Sequence, residues 1–260
     1  MKIALLLSGL QRNFEPFIQN QVETIVKKYD CDIFIYTSTE NNNRYIENGK
    51  IMYKQNGNIE NSSDYFKEKY KLYLKNIYID VDNESFEKFK TDIVKYDEKD
   101  NIFHLNLISS YFKVRSCISL MEQYEEKNNI KYDIVFRMRL DGFTHEYFKN
   151  VKINTFDYNN KCYMSIGDNQ HKDDSCVIIS RTNIDIIKNF VFQLIHKKNQ
   201  PNNIIVENEL IHYLTVNNID INFINKLVCR IGSDNLNYRE IPYFNYENIN
   251  KLHSLEYKVE

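Results

Sequence analysis

The chain has no tryptophan, only three prolines and six glycines in 260 residues. No Pro/Gly/Ser-rich linker can be drawn from so few breakers, and no internal repeat is visible, so one domain over residues 1–260 is expected. Neither sign of charge dominates. Lys+Arg 34 against Asp+Glu 36 gives a formal net charge of −2, which excludes a global basic footprint for nucleic acid but not a local basic cleft around a phosphate. No run approaches the roughly 20 apolar residues that span a bilayer. The apolar start, Met1 to Leu7, is too short for a signal peptide and ends in Ser-Gly rather than a cleavage-type site. Five cysteines (Cys31, Cys117, Cys162, Cys176, Cys229) are odd in number and show no CxxC spacing, so neither a zinc site nor a disulfide framework is implied. Four of them sit in apolar runs, as buried thiols in a reducing compartment do. A cytoplasmic location is therefore expected. The histidines form no HxH or HExxH spacing, and GxGxxG, GxxxxGK[ST] and GxSxG are all absent.

What is present is an ordinary globular composition, 42% hydrophobic and 27% charged, with an aromatic share of 14% carried by Tyr 20 and Phe 16. The abundance of Asn, Ile, Lys and Tyr reads as coding bias rather than chemistry. Lys2 to Leu7 (KIALLL) predicts a central strand. Phe14 to Lys28 has helical apolar spacing, and Asp32 to Thr37 (DIFIYT) predicts a second strand. Strand, loop, helix and strand in under 40 residues make a βαβ unit, hence a parallel pair with a right-handed crossover. Ser38 to Ser63 reads as a long polar loop, Asp64 to Leu74 as a short helix and Asn76 to Val81 as a strand. Helices are predicted over Glu84–Tyr96 and His104–Lys127. In the latter Leu107, Tyr111, Val114, Ile118 and Met121 recur at helical steps, a core stripe. Further on the pattern predicts strands at Lys161–Ser165, Ser175–Ser180 and Asp220–Ile224. Helices are expected at Asn183–His196, capped by Thr182 or Asn183, and at Glu207–Val216. Ile166 to Asp174 reads as a polar loop.

The stretch Tyr132-Asp133-Ile134-Val135-Phe136-Arg137-Met138-Arg139-Leu140-Asp141-Gly142 carries the clearest chemistry. It opens as a strand buried on both faces, then alternates. Phe136, Met138 and Leu140 fall on one side, Arg137, Arg139 and Asp141 on the other, and Gly142 ends the strand. Ligands of open α/β sheets bind outside the carboxyl ends of the strands. Arginines grip phosphates bidentately, and a carboxylate can hold a divalent cation that bridges them. The pattern thus suits a nucleotide diphosphate; it also suits an Arg–Asp ion pair closing a strand. The loop Ser8-Gly9-Leu10-Gln11-Arg12 lies between a strand and a helix N-terminus. Gly9 permits close backbone approach there, and Arg12 can reach a phosphate or a base; a plain βα turn would look the same. Asp141 is the metal candidate, for Mn²⁺ or Mg²⁺ shared with the substrate's own phosphates. Glu207 and Glu209 open a helix, where the macrodipole favours acids in any case. Glu209 is the first candidate for a general base and Asp174, beside Asp173, the second.

With those residues in hand, the chain resembles a family. KIALLLSGLQRNF is similar to the opening of small bacterial and viral glycosyltransferase-like proteins of surface polysaccharide and lipopolysaccharide biosynthesis, which begin with a strand and SGQ-x-R. DIFIYT resembles their DVFIHTW element, KYDIVFRMRLDG their YDxVIRxRxD segment, and ENELIHYLTVNNIDI a later E-x-L segment. The resemblance implies a GT-A-like single domain, an α/β fold with a mostly parallel twisted central sheet flanked by helices. Its nucleotide-binding half would cover about residues 1–142 and its acceptor-side half about 143–260. It further implies a glycosyltransferase that moves a sugar from a nucleotide-diphospho-sugar of UDP, GDP or dTDP type to a hydroxyl of a glycan or related acceptor. Ser8, Gly9, Arg12, Arg137, Arg139 and Asp141 would hold the nucleotide sugar. Glu209 or the Asp173/Asp174 pair would stand on the acceptor side. In such enzymes a DxD motif binds the metal. Here Asp141 matches its second acid while Arg139 stands in the place of the first, a departure that bears on metal dependence. Inverting and retaining chemistry stay open, as does assembly into a homo-oligomer. Two rivals remain beside the transferase: a sugar-nucleotide nucleotidyltransferase, and a catalytically inactive nucleotide-binding or interaction module on the same fold.

Overall fold

The uninterrupted apolar run at the start of the chain forms β1 (Ile3–Leu10). Its alternate residues enter two different cores, Ile3, Leu5 and Leu7 on one side and Ala4 and Leu6 on the other. A strand covered on both faces has no use for a polar alternate position, which is why the run is continuous rather than alternating. The structure, a computed structural model, describes residues 1–10, 15–39, 42–47, 50–55, 63–95, 102–144, 148, 150–166, 172–197, 205–225 and 228–230. After β1 comes α1 (Glu15–Gln21), continued through a π-helical turn at Val22–Val26 into α2 (Lys27–Tyr29). The helical stretch ends at Asp30 in the left-handed region (φ 51°), and β2 (Asp32–Ser38) then pairs parallel to β1. The predicted βαβ unit is present.

The remaining sheet strands are β5 (Leu74–Asp80), β6 (Ile134–Arg139), β8 (Lys161–Ile166), β9 (Lys172–Ser180) and β10 (Asp220–Asn225). The seven strands stand in the order β10-β8-β9-β6-β1-β2-β5. All run the same way except β9, which pairs antiparallel with both of its neighbours. Helix α5 (Ile102–Asn128) has 27 residues, or roughly 40 Å at about 1.5 Å per residue. It crosses one face of the sheet over β1, β2 and β5, with α6 (Ile184–His196) beside it. Ile108, Tyr111, Val114, Ile118 and Met121 form its buried stripe, and Leu107 and Phe112 pack at the margin. Because β6 follows α5 after a short turn, the helix runs against the strands, and its N-terminal half lies toward their carboxyl ends. The other face is covered by α1 with its continuation and by α3 (Ser63–Tyr70), through Ile18, Ile25, Val26, Phe66 and Tyr70. The predicted helix at 84–96 appears as α4 (Glu84–Phe89) and a π turn at Lys90–Val94. Helix α7 (Val206–Val216) precedes β10.

Three local expectations need correction. The stretch read as a long polar loop contains a two-stranded hairpin, β3 (Asn42–Glu47) and β4 (Lys50–Gln55), with Glu47 opposite Lys50. The missed signal was the Asn48-Gly49 dipeptide, the residue pair that two-residue hairpins favour. Asp173 and Asp174 belong to β9 rather than to a loop, because Asp173 pairs with Ser165; ladder hydrogen bonds overrode the local polarity. Gly142 does not simply end a strand. It opens β7 (Gly142–Thr144), which pairs antiparallel with β11 (Val228–Arg230). At α6, Asn183 holds the N-cap position without a side-chain hydrogen bond, and Thr182 Oγ1 instead meets Ser180 Oγ at 2.9 Å. Cys31, Cys117, Cys162 and Cys176 are buried thiols outside any disulfide, and no helix among the described residues is long and apolar enough to cross a membrane.

Candidate functional site

The adjacent parallel strands β1 and β6, at the middle of the sheet, bring Ser8, Gly9, Arg137, Arg139 and Asp141 to one end of it. Ser8 stands between Tyr36 of β2 and Arg139 of β6 in the sheet register. The Leu140 amide donates to the Ser8 carbonyl at 3.2 Å, extending the ladder one residue past the end of β6. Gly9 follows with φ +140°, in the region that L side chains rarely adopt. A Cβ there would meet nothing closer than the Leu140 nitrogen at 3.9 Å. Backbone conformation, not crowding, therefore selects glycine. Gly9→Ala is expected to cost about 1–2 kcal/mol by denaturant titration; a smaller loss than Leu7→Ala, nearby in the same strand and fully buried, separates backbone strain from packing.

Arg139 and Asp141 form a bidentate ion pair. Arg139 Nε donates to Asp141 Oδ1 at 2.8 Å, and Nη2 donates to Oδ2 at 2.6 Å. The turn after β6 makes this possible, since it brings a carboxylate two residues on back against the fork. Both side chains are half-buried, 22% and 17% exposed. The turn itself is held from the opposite layer by Gln21, which the sequence did not single out. Gln21 Nε2 donates to the carbonyls of Leu140 (3.1 Å) and Gly142 (2.8 Å), and Tyr70 Oη donates to its Oε1 at 2.6 Å. Its neighbour Asn20 accepts the Thr144 amide at 2.8 Å and donates to the Thr144 carbonyl at 3.1 Å. Two buried amides in the middle of an apolar helix face were the available signal, because such groups persist only when bonded.

Arg137 shares the sheet face of Arg139 but lies deeper, 2% exposed. Its Nη1 donates to the Asp174 carbonyl, and its guanidinium carbon lies 5.5 Å from the centre of the Tyr111 ring. Tyr111 in turn donates its hydroxyl to Asp174 Oδ2 at 2.8 Å. Burial, and next the adjacent Asp174 carboxylate, push the Tyr111 pKa well above 10, so the phenol remains a donor across the ordinary pH range. Asp174 lies where the register of β8 against β9 shifts between Met164 and Ser165. Such irregular steps re-aim side chains beside sites. Glu207, at the start of α7, adds to the field felt by Tyr111. The apolar stripe predicts Tyr111 as core; its ring is core and its hydroxyl is not.

Glu209 stands on α7 in an ion pair with Lys197, each 21% exposed. Arg12 lies outside the described residues. Among those described, the buried side-chain atoms Ser8 Oγ, Ser38 Oγ and Arg137 Nε lack a hydrogen-bond partner, as does His104 Nε2, two turns above Tyr111 on α5. The first three belong to residues at or near the carboxyl ends of β1, β2 and β6. They share the parity of Ala4, Leu6, Phe34, Tyr36 and Val135, which face α5. An unpaired buried polar group costs about 1–3 kcal/mol, so this face carries a cost that packing does not explain. A surface cavity of about 450 Å³ between Ile18, Val22, Tyr65 and Tyr73 lies in the opposite layer and includes none of the predicted site residues.

The donor set suits a divalent cation poorly. No group of three His, Cys, Asp or Glu side chains able to hold a metal occurs among the described residues. The one predicted ligand, Asp141, has both oxygens engaged by a guanidinium. A metal ion there would share its carboxylate with a like charge.

No protein-family model matches the chain, and no curated protein sequence matches it. Solved structures of similar shape include a glycosyltransferase involved in glycosylation of the major capsid of PBCV-1, at 8% identity and TM-score 0.44, covering 86% of this chain and 82% of that one. A nucleoside-diphosphate-sugar pyrophosphorylase from Vibrio cholerae RC9 aligns at 9% identity and TM-score 0.44, over 87% and 93%. A putative nucleotide-diphospho-sugar transferase from Desulfovibrio desulfuricans G20 aligns at 8% identity and TM-score 0.42, over the full length of both.

Proposed function

We propose that this GT-A-like domain is a glycosyltransferase that uses a nucleotide-diphospho-sugar, of UDP, GDP or dTDP type, to glycosylate a hydroxyl of a glycan or related acceptor. The observation that carries the proposal is the juxtaposition of Ser8 with the Arg139–Asp141 pair at the carboxyl ends of adjacent parallel strands. Such an edge is where open α/β sheets bind nucleotides. Transfer breaks the bond between the anomeric carbon and the diphosphate oxygen and forms one to the acceptor oxygen. The departing diphosphate gains negative charge, and the Arg139 guanidinium is the group placed to offset it. Gly9 lets the backbone approach the ligand, the buried Ser8 sets the strand end beside Arg139, and Arg12 assists at the nucleotide. Arg137 acts from below, holding the β9 backbone at Asp174 rather than gripping phosphate.

An inverting transfer also needs a base for the acceptor proton, and a retaining one does not. Asp174 fits that task better than Glu209. Its carboxylate is held by Tyr111 on the same sheet face as Arg139, whereas Glu209 is tied to Lys197. Incubation with a panel of nucleotide sugars, following nucleotide release, tests the function. Release from at least one donor is expected, and nucleotide binding without release from any donor would instead favour the inactive module. Asp174→Asn is expected to lower kcat by about 10²–10⁴ while leaving the nucleotide Kd unchanged; full turnover in that variant would remove Asp174 as base.

A further inference from the structure

We infer that the site receives the diphosphate on a protein cation in place of a metal ion: Arg139, oriented by Asp141, is the group that meets it. The inference rests on the nucleotide-sugar reading and goes beyond it, since that reading by itself is neutral about metal.

The first ground is the use of the Asp141 carboxylate. A cation such as Mn²⁺ or Mg²⁺ needs oxygen lone pairs directed at it and, at a nucleotide site, commonly draws on one or two carboxylates besides the phosphates. Both Asp141 oxygens accept hydrogen bonds from Arg139 at 2.6 and 2.8 Å, the geometry of a parallel two-point pair. The turn that builds this pair is fixed by the Gln21 side chain from the other layer, so Asp141 is not a loose acid that happens to lie near an arginine.

The second ground is how the guanidinium is held. The group has five N–H donors in a rigid plane and keeps its charge at any ordinary pH. Two of these donors go to Asp141 along one edge. A fork held on one edge is pre-set in orientation, so the ordering cost of a flexible side chain is largely met before ligand arrives. The third ground is placement. Arg139 is adjacent to Ser8 across the β1–β6 ladder and two residues beyond Arg137 on the same face, so the backbones of the two arginines lie about 7 Å apart along the strand at roughly 3.3 Å per residue. Against the one carboxylate of Asp141, the two arginines leave this strand end net positive, which offsets part of the diphosphate charge without an added ion, and only the outer arginine has the exposure to touch it.

Asp141 is thus an orienting residue and Arg139 the binding one, the reverse of the roles a metal site would give these two positions. The two arrangements respond oppositely to chelation and to a charge swap. Isothermal titration of the wild-type chain with UDP, GDP, dTDP and inorganic pyrophosphate, in EDTA and then in excess Mn²⁺, is the test. At least one of these is expected to bind, with affinities in the two conditions agreeing within about twofold. Arg139→Asp, which places a second acid two residues before Asp141, is expected to lose at least tenfold in EDTA and to regain binding only with Mn²⁺. Asp141→Asn is expected to change the affinity by the same factor in EDTA and in Mn²⁺, because Asp141 orients the fork and holds no metal. Circular dichroism establishes that each variant is folded. Wild-type binding that disappears in EDTA and returns with Mn²⁺ overturns the inference while the nucleotide reading stands. Failure of the wild type to bind any of the four ligands in either condition overturns that reading and the inference with it.

Discussion

Arg137→Ala is expected to lower the stability of the fold by about 3 kcal/mol, while Arg139→Ala, two residues along the same strand face, changes it by less than about 1 kcal/mol. The difference is one of depth. Arg137 is 2% exposed, donates to the Asp174 carbonyl and lies over the Tyr111 ring. Truncation leaves that carbonyl unpaired, about 1–3 kcal/mol for a buried group. It also leaves a void where the aliphatic stem was. Release of a buried charge offsets part of the sum, which is why about 3 rather than about 5 kcal/mol is expected. For the same reason Arg137→Met, which fills the space without the charge, should recover more than half of the loss. In a chain of this length the alanine variant should melt about 6–12 °C lower, at roughly 2–4 °C per kcal/mol. Arg139→Ala should instead leave the melting curve in place and lower nucleotide affinity at least tenfold. Denaturant titration and nucleotide binding on both variants check the pair of expectations; an Arg137→Ala chain as stable as wild type would contradict the packing role given to that residue.

Glu125→Ala is expected to be comparably costly, about 3 kcal/mol, and in a pH-dependent way. Its side chain has 0% exposure and joins three elements. Arg181 Nε and Nη2, after the end of β9, donate to it at 2.8–3.0 Å, Lys131 Nζ at 3.0 Å, and the Tyr132 amide, leading into β6, at 3.0 Å. Burial alone would raise its pKa, but the hydrogen bonds from Arg181, Tyr132 and Lys131 outweigh it and hold the carboxyl below its ordinary 4.5. A depressed folded-state pKa means that the unfolded chain takes up the proton first. The stabilisation is therefore fully present above about pH 4.5 and is lost as pH falls through the lower, folded value. Removing one partner of a buried pair strands the other charge, typically at about 3–5 kcal/mol; partial exposure of Arg181 places Glu125 at the lower end. Urea titrations of wild type and Glu125→Ala at neutral pH and well below pH 4 check this. The gap between the two proteins should narrow in acid, and a gap that stays constant would assign the effect to packing alone.

Which face of the strand each residue takes was legible in the sequence, and the reason is the period of the strand. The two-residue alternation from Phe136 to Leu140 placed the apolar side chains in one core and Arg137 and Arg139 on the other face, as the core around Phe136, Met138 and Leu140 shows. What the alternation does not encode is depth. Arg137 and Arg139 are identical in type and parity, and one packs over Tyr111 while the other meets Asp141. An Arg–Asp pair closing the strand was one of two readings, but which arginine takes Asp141 was hidden. An i,i+2 pair across a strand end exists only because the turn at Leu140 and Asp141 folds back, and that turn is held by Gln21, more than a hundred residues earlier in the chain. Nor does anything local in KDDSCVIIS tell that Asp174 lies within a strand at a register shift, bonded to a tyrosine of the longest helix.

The sequence by itself determined the class of fold, the parallel β1–β2 unit, the long helix over the sheet and the strand on which the charged residues ride. Each of those follows from apolar periodicity, and burial of apolar area is the dominant favourable term in folding. Tertiary structure alone decided that β9 runs antiparallel, that Arg137 supports while Arg139 faces outward, and that Asp141 belongs to a guanidinium. These depend on hydrogen bonds and ion pairs between residues far apart in the chain, whose energies are set by direction and burial rather than by spacing along it.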